Sequence, residues 1–264
     1  MPTVDTFLTD LRRYIQHEDT KPLLGPSFYQ GLVAGELSRE QLKKWALNLY
    51  YVTGQHIRAF GGIFMNTGLG PLDQKIRRHI VENLIDEETI MGRGEDAHWM
   101  LSMRLAKALG ATEEEVLQPV VAKESVEYVD WVIDLGSKEY GLVTLAAMSI
   151  GGESRSDSSM KGLVRSLKEK YRLSREDLEF FYAHIGEAEA HGEPVFDMVR
   201  EYATTNERQQ KIRDNVKTWC DKFRAAHEGG YRVAMGVDAG VRVDTGNNGR
   251  PLRQCPGQAS TGRS

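Results

Sequence analysis

Residues 35–56, GELSREQLKKWALNLYYVTGQH, read as one long helix. Ser38 followed three positions later by Gln41 is a capping-box start: the serine oxygen can accept from the Gln41 backbone N–H while the glutamine side chain reaches back to the cap. Leu42, Trp45, Ala46, Leu49, Tyr50 and Val52 then recur at spacings that put apolar groups on one helical face. Gly61 and Gly62 are expected to bend the run.

The same period governs the chain on either side. Phe7, Leu8, Leu11, Tyr14 and Ile15 mark a helix over 4–17, which the stretch from Pro22 to Pro26 interrupts. Residues 73–91 continue the pattern, Gly92 and Gly94 break it, and a further helix runs from Glu95 to Leu109, where Gly110 ends it. Thr112 with Glu115 opens the next helix. A helical region over 121–149 stops at Gly151 and Gly152, before the polar turn SRSDSS. Ser174 with Asp177 caps a helix to 202, and 205–226 carries Ile212, Val216, Trp219, Cys220 and Phe223 on an amphipathic helix. Strand signals are nearly absent, with no useful alternating run and no paired runs joined by Asn-Gly or Asp-Gly. From Gly229 the composition turns to Gly, Arg, Asp, Ser and Asn. The expectation is an all-α fold, one helical domain over 1–228 followed by a disordered tail over 229–264.

The 264 residues are 40% hydrophobic and 27% charged, with a formal net charge of -4 that offers no basic face to nucleic acid. No run reaches the roughly 18 apolar residues of a membrane span, and the N-terminus lacks the apolar stretch of a signal peptide, so a cytoplasmic location is expected. Cys220 and Cys255 stand far apart without zinc-site spacing, which leaves metal binding to His and carboxylate side chains.

Such side chains cluster. In FFYAHIGEAEAHGE, His184 and His191 lie seven residues apart, two turns along nearly the same side of a helix, with Glu187 between them. Imidazole and carboxylate together suit iron or manganese and match magnesium or calcium poorly. Glu95 and His98, three residues apart, form a second pair, and Glu153 follows a long apolar run beside two glycines. Each group alone is equally compatible with a solvated polar face. Together they supply three carboxylates and three imidazoles from three helical segments, close to the ligand set of a di-iron carboxylate site in a helix bundle. His17, His56, His79 and His227 stand alone and read as surface or hydrogen-bonded residues.

Three segments carry a family resemblance: GELSREQLKKWALNLYYVTGQH, NLIDEE followed by HWMLSMRLAKALG, and LSREDLEFFYAHIGEAEAHGE. Over roughly residues 5–225 the chain resembles the haem-oxygenase-like superfamily, in particular its non-haem di-iron oxidases and oxygenases, related to thiaminase-type and pyrroloquinoline-quinone-synthase-type proteins. The resemblance implies a bundle of about seven or more helices. It places Glu95 and His98 on one ligand helix, Glu153 on a second, and His184, Glu187 and His191 on a third. Relatives put an Asp where Ala188 stands, which weakens the second iron position, and Asp86, Glu87 and Glu88 are the fallback carboxylates for Glu95. A thiaminase-type activity needs a nucleophilic cysteine in the central cavity, whereas Cys220 falls on the last helix and Cys255 in the tail.

The resemblance thus implies an enzyme of biosynthetic, specialised metabolism that holds two non-haem Fe(II) ions and takes O2 as co-substrate. The substrate would be a small amino acid or carboxylic acid, undergoing oxidative C–C cleavage, desaturation or N-oxygenation, with Arg155 as a carboxylate clamp whose plainer reading is a solvated arginine. Members of the superfamily commonly pair, so a homodimer is expected, with Trp45, Tyr50 and Tyr51 open to either a core or an interface role. The alternatives are a metal-free quinone-synthase-type oxidase and a non-enzymatic helical protein that binds a partner.

Overall fold

Helix α3 (Arg39–His56) is the axis of the structure, and it starts as its sequence dictates, with the Ser38 oxygen accepting from the Gln41 N–H at 3.2 Å and the Gln41 side chain accepting from the Ser38 N–H at 2.7 Å. The computed structural model describes residues 3–19, 26–91, 96–153, 158–185, 193–247 and 250–251, except the side chains of 19, 26, 27, 153, 158, 159, 247, 250 and 251. Before α3 come α1 (Val4–Asp19) and α2 (Pro26–Ala34). After it come α4 (Ala59–Met65), α5 (Pro71–Glu88), α6 (His98–Ala108) and α7 (Glu113–Leu117). Then follow α8 (Lys123–Lys138), α9 (Gly141–Met148), a π-helical turn at Ser149–Glu153, α10 (Ser158–Tyr171), α11 (Glu179–His184), α12 (Glu193–Tyr202) and α13 (Asn206–Ala234). The all-α expectation holds.

Two apolar clusters fill the interior. One joins Phe7 and Leu11 of α1, Tyr51 of α3, Ile76 and Ile80 of α5, Tyr128 and Val132 of α8, Leu142 and Leu145 of α9, and Ile212 and Val216 of α13. The other joins Phe28 and Leu32 of α2, Trp45 of α3, Leu101 and Leu105 of α6, Leu167 of α10, and Phe180 and Phe181 of α11. Each fully buried Leu, Ile or Phe contributes about 1.5–3 kcal/mol relative to exposure. Helix α3 serves both clusters, and so does α13, which adds Ala234 to the second. Trp45, Tyr50 and Tyr51 are all buried, so within this chain they are core residues. No helix among the described residues is long and apolar enough to cross a membrane.

Several expected boundaries move. The long run breaks at Ile57 and Arg58 rather than bending at Gly61 and Gly62; Gly62 instead lets α4 meet α8, since a Cβ there would lie 2.6 Å from the Gly136 carbonyl carbon. The region over 121–149 is two helices, parted at Glu139 and Tyr140. Ser174 and Asp177 exchange backbone-to-side-chain hydrogen bonds as a capping pair does, yet they close a turn, and α11 begins only at Glu179. The expected single helix to 202 instead ends with α11 at His184, and among the described residues α12 follows from Glu193.

The expected tail from 229 is corrected for residues 229–247. Helix α13 continues through Gly229 and Gly230 to Ala234, and the chain then forms strand β2 (Val241–Asp244) between β1 (Val120–Val121) and β3 (Arg250–Pro251), antiparallel to both. The two glycines are contact points, not breakers. A Cβ at Gly230 would fall 2.5 Å from the Asn48 Nδ2, and one at Gly229 would fall 2.8 Å from the Ala122 Cβ. Asn48 is itself buried, accepting from the Ala122 N–H and the Ser125 hydroxyl at 2.9 Å each, and Tyr231 packs edge-on against Phe28 at 5.3 Å. Residues 252–264 lie outside the described residues.

Candidate metal centre

Four helix ends converge between α3, α5, α6 and α11. Glu87 stands in the last turn of α5, His98 is the first residue of α6, His184 the last of α11, and His56 the last of α3. Three of the four therefore sit where a helix carries its negative dipole end, a setting that favours a bound cation.

Glu87, His98 and His184 each bring one possible ligand atom to within 4.8 Å of the others. The His98 Nδ1 lies 3.0 Å from the Glu87 Oε2, with the His98 side chain fully buried and that of Glu87 18% exposed. The His98 and His184 rings are 4.5 Å apart between centroids. At His184 the Nδ1 lies 2.6 Å from the Phe180 carbonyl oxygen; a carbonyl only accepts, so Nδ1 carries the proton and Nε2 is left as the donor for a metal. The Phe180 ring walls both imidazoles, at 6.5 Å from His98 and 4.3 Å from His184.

The electrostatics suit metal binding. Burial pushes the Glu87 carboxyl up, but the hydrogen bond from His98 and the fields of His98, His184 and His56 outweigh it and hold the group down to about 2. His56 moves the opposite way: burial lowers its pKa, Glu87 opposes the shift, and His184 reinforces it. Ionised carboxylate and neutral imidazole are the forms a metal requires. Two imidazoles and a carboxylate converging from separate elements are the donor set of non-haem ferrous sites with open coordination positions, so these residues fit iron.

Of the ligands expected from sequence, His98 and His184 come together here, and Glu87, a fallback carboxylate, joins them. Glu153 closes the π-helical turn, and its side chain is outside the described residues. Glu95, Arg155, Glu187 and His191 lie outside the described residues altogether. His56 was read as a lone histidine. The signal for it was there: Leu42, Trp45, Leu49, Val52 and His56 recur at alternating spacings of three and four, so His56 ends the apolar stripe of α3. Cys220 is buried on α13, its thiol donating weakly to the Gly151 carbonyl at 3.7 Å.

A family model described as iron-containing redox enzyme matches residues 43–222. The chain belongs to this family. As a member of the iron-containing redox enzymes it is an oxidoreductase, and the matched span runs from α3 to α13 and includes Glu87, His98 and His184. This redox enzyme is similar to a 4-aminobenzoate synthase of Nitrosomonas europaea, 27% identical over 223 residues that cover 82% of this chain and 87% of the relative. It is similar also to a pyrroloquinoline-quinone synthase of Acidiphilium cryptum, 26% identical over 201 residues, 74% of this chain and 76% of the relative. Among solved structures, a TenA homologue from Pseudomonas syringae superposes with a TM-score of 0.70 at 15% identity, covering 85% of this chain and 92% of the other. A domain with a heme oxygenase-like fold from Shewanella denitrificans gives 0.65 at 12%, covering 90% and 94%. The redox enzyme thus has the haem-oxygenase-like fold.

Proposed function

We propose that this chain is an O2-dependent non-haem di-iron oxidase or oxygenase acting on a small amino acid or carboxylic acid, aromatic ones included. The observation that carries the reading is the convergence of Glu87, the buried His98 and His184 at three helix ends. The similarity to a 4-aminobenzoate synthase supports an aromatic or amino-acid-derived substrate, and oxidative C–C cleavage, desaturation and N-oxygenation are the outcomes to distinguish.

Glu87, His98 and His184 would hold one iron; Glu153, with Glu95, Glu187 and His191, would hold a second. Bound iron supplies the one-electron and O2 chemistry that side chains lack. The protein's own part is orientation and dryness. The Phe180 carbonyl fixes the His184 tautomer, and the Phe180 ring closes the centre from the second apolar cluster. His56 stands beside the carboxylate as an imidazole that burial holds in its neutral form. Arg155 is the proposed anchor for a substrate carboxylate.

The test is anaerobic ferrous titration followed by exposure to O2. Uptake of about two irons per chain, as a helix-bundle carboxylate site would hold, with a transient visible band absent from His184→Ala, is the expected result. No iron uptake would sink the reading and leave the metal-free quinone-synthase-type oxidase, for which the similarity to such a synthase is the supporting observation.

A further inference from the structure

His56 and His184 are built alike. Each is the last residue of its helix, α3 and α11. At His184 the Nδ1 lies 2.6 Å from the carbonyl of Phe180, four residues back. At His56 the Nδ1 is sealed from solvent, and the carbonyl of Val52, again four residues back, is the backbone acceptor acting on the ring. A carbonyl only accepts, so in both rings the proton sits on Nδ1 and Nε2 keeps its lone pair.

The two rings differ in what they reach. His184 shares the 4.8 Å cluster with Glu87 and His98, whereas His56 stands outside that trio, close enough to feel the charges of Glu87 and His184 but beyond ligand distance. Burial is the largest cause of its lowered pKa, yet part of its surface stays accessible, which is the condition of a side chain that lines an enclosed space. The ring is also held in place. Tyr128, fully buried on α8, meets it edge-on at 6.3 Å and is itself met edge-on by Trp219 at 6.0 Å and Phe223 at 5.5 Å. The surroundings choose what that lone pair can take: the C-terminal ends of α3, α5 and α11 and the Glu87 carboxylate make the space negative, so it repels a second carboxylate and receives an N–H.

We infer that His56 selects the substrate, its Nε2 accepting a hydrogen bond from the N–H of a primary amine bound beside Glu87, His98 and His184, and that His56 itself binds no metal. The inference rests on the oxidase reading and deepens it, because it names the amine as the group recognised at that centre. It gives a role to a third imidazole that the ligand cluster leaves out.

The experiment compares wild type, His56→Leu, His56→Phe and His56→Gln as full chains loaded with ferrous iron under nitrogen, with iron read by chelator competition and folding by thermal melting. Two pairs of probes differ by an amine alone: 4-aminobenzoate against benzoate, and glycine against acetate. Isothermal titration of wild type should show at least one amine binding more tightly than its amine-free partner by about fivefold or more, the fold-change one hydrogen bond to a neutral acceptor supplies. His56→Leu and His56→Phe should lose that preference while iron affinity stays within about twofold. His56→Gln, which offers an oxygen near the place of Nε2, should retain it. Absence of any amine preference in wild type would overturn the inference, as would its survival in His56→Leu. Its loss in His56→Gln would overturn it too, by making the effect one of shape and not of a lone pair. Iron binding weakened about tenfold in His56→Leu would make His56 a ligand and also overturn it. Should His56→Leu fail to fold, His56→Phe decides in its place. No iron uptake by wild type would refute the oxidase reading itself and the inference with it, a result read before any probe is added and so distinct from the others.

Discussion

Glu87 and His98 stand eleven positions apart on different helices, yet the imidazole comes within 3.0 Å of the carboxylate in a place where an unpaired carboxylate would cost several kcal/mol. That contact explains why the Glu87 carboxyl remains ionised despite burial. Replacing it by an isosteric amide removes the charge and keeps the shape, so Glu87→Gln should weaken ferrous binding by at least about tenfold with little change in far-UV circular dichroism. Unchanged affinity in an anaerobic titration would remove Glu87 from the metal centre. His98 and His184 were legible in the sequence because each lies near another candidate ligand in a local helical pattern. Glu87 was legible only as a fallback, because its partnership crosses from α5 to α6 and no spacing rule within one helix reports it. His56 escaped notice for a related reason: a lone polar residue at the end of an apolar stripe looks like the stripe's exit to solvent.

Capping chemistry was the most readable signal among the elements. The reciprocal pairs at Ser38 and Gln41 and at Thr112 and Glu115 form as expected. Ser38→Ala should cost about 1 kcal/mol in a denaturant titration, and an unchanged midpoint would show that packing alone fixes the start of α3. At the start of α5, Asp73 accepts from the Tyr140 hydroxyl and the Gly70 N–H, each at 2.8 Å. Burial pushes the Asp73 carboxyl up, but those bonds, with the Gly68 N–H and Arg77, outweigh it and leave the pKa below its ordinary value. Its stabilising effect is therefore complete above the unfolded-state pKa and is lost as pH falls through the lower folded value. Asp73→Asn should melt lower than wild type at neutral pH, with the gap closing in acid; a gap that stays constant to low pH would exclude this contribution. Glycine was the least readable signal. The pairs at 61–62 and 229–230 read as a bend and as a tail, whereas Gly62, Gly229 and Gly230 are places where backbones approach too closely for a Cβ. Close approach depends on a distant segment, so local composition cannot tell it from flexibility.

For the molecule as a whole, the helical class followed from periodicity and the extent of the ordered chain did not. Val243 is fully buried and β2 pairs with β1, so cutting the chain after residue 240 should remove about 1.5–3 kcal/mol through Val243 alone. The melting temperature should fall by at least a few degrees. A cut after residue 228 removes Tyr231, Val233 and Ala234 as well and should be the more damaging of the two. Equal melting temperatures for the full chain and both truncations would show that the segment after 228 contributes nothing to stability. The proposed homodimer is open to sedimentation equilibrium, where twice the chain mass is expected and the single chain mass would refute it.

Helix α13 also sets an order of events during synthesis. It follows every other α-helix in the described chain and supplies apolar groups to both interior clusters. The first cluster, which takes Ile212, Val216, Trp219, Cys220 and Ala226 from α13, stays incomplete while residues 206–234 are still inside the ribosome, so the earlier helices that form it emerge with apolar faces uncovered. Translation rate and chaperone supply should therefore govern the yield of this enzyme in cells more than its final stability does.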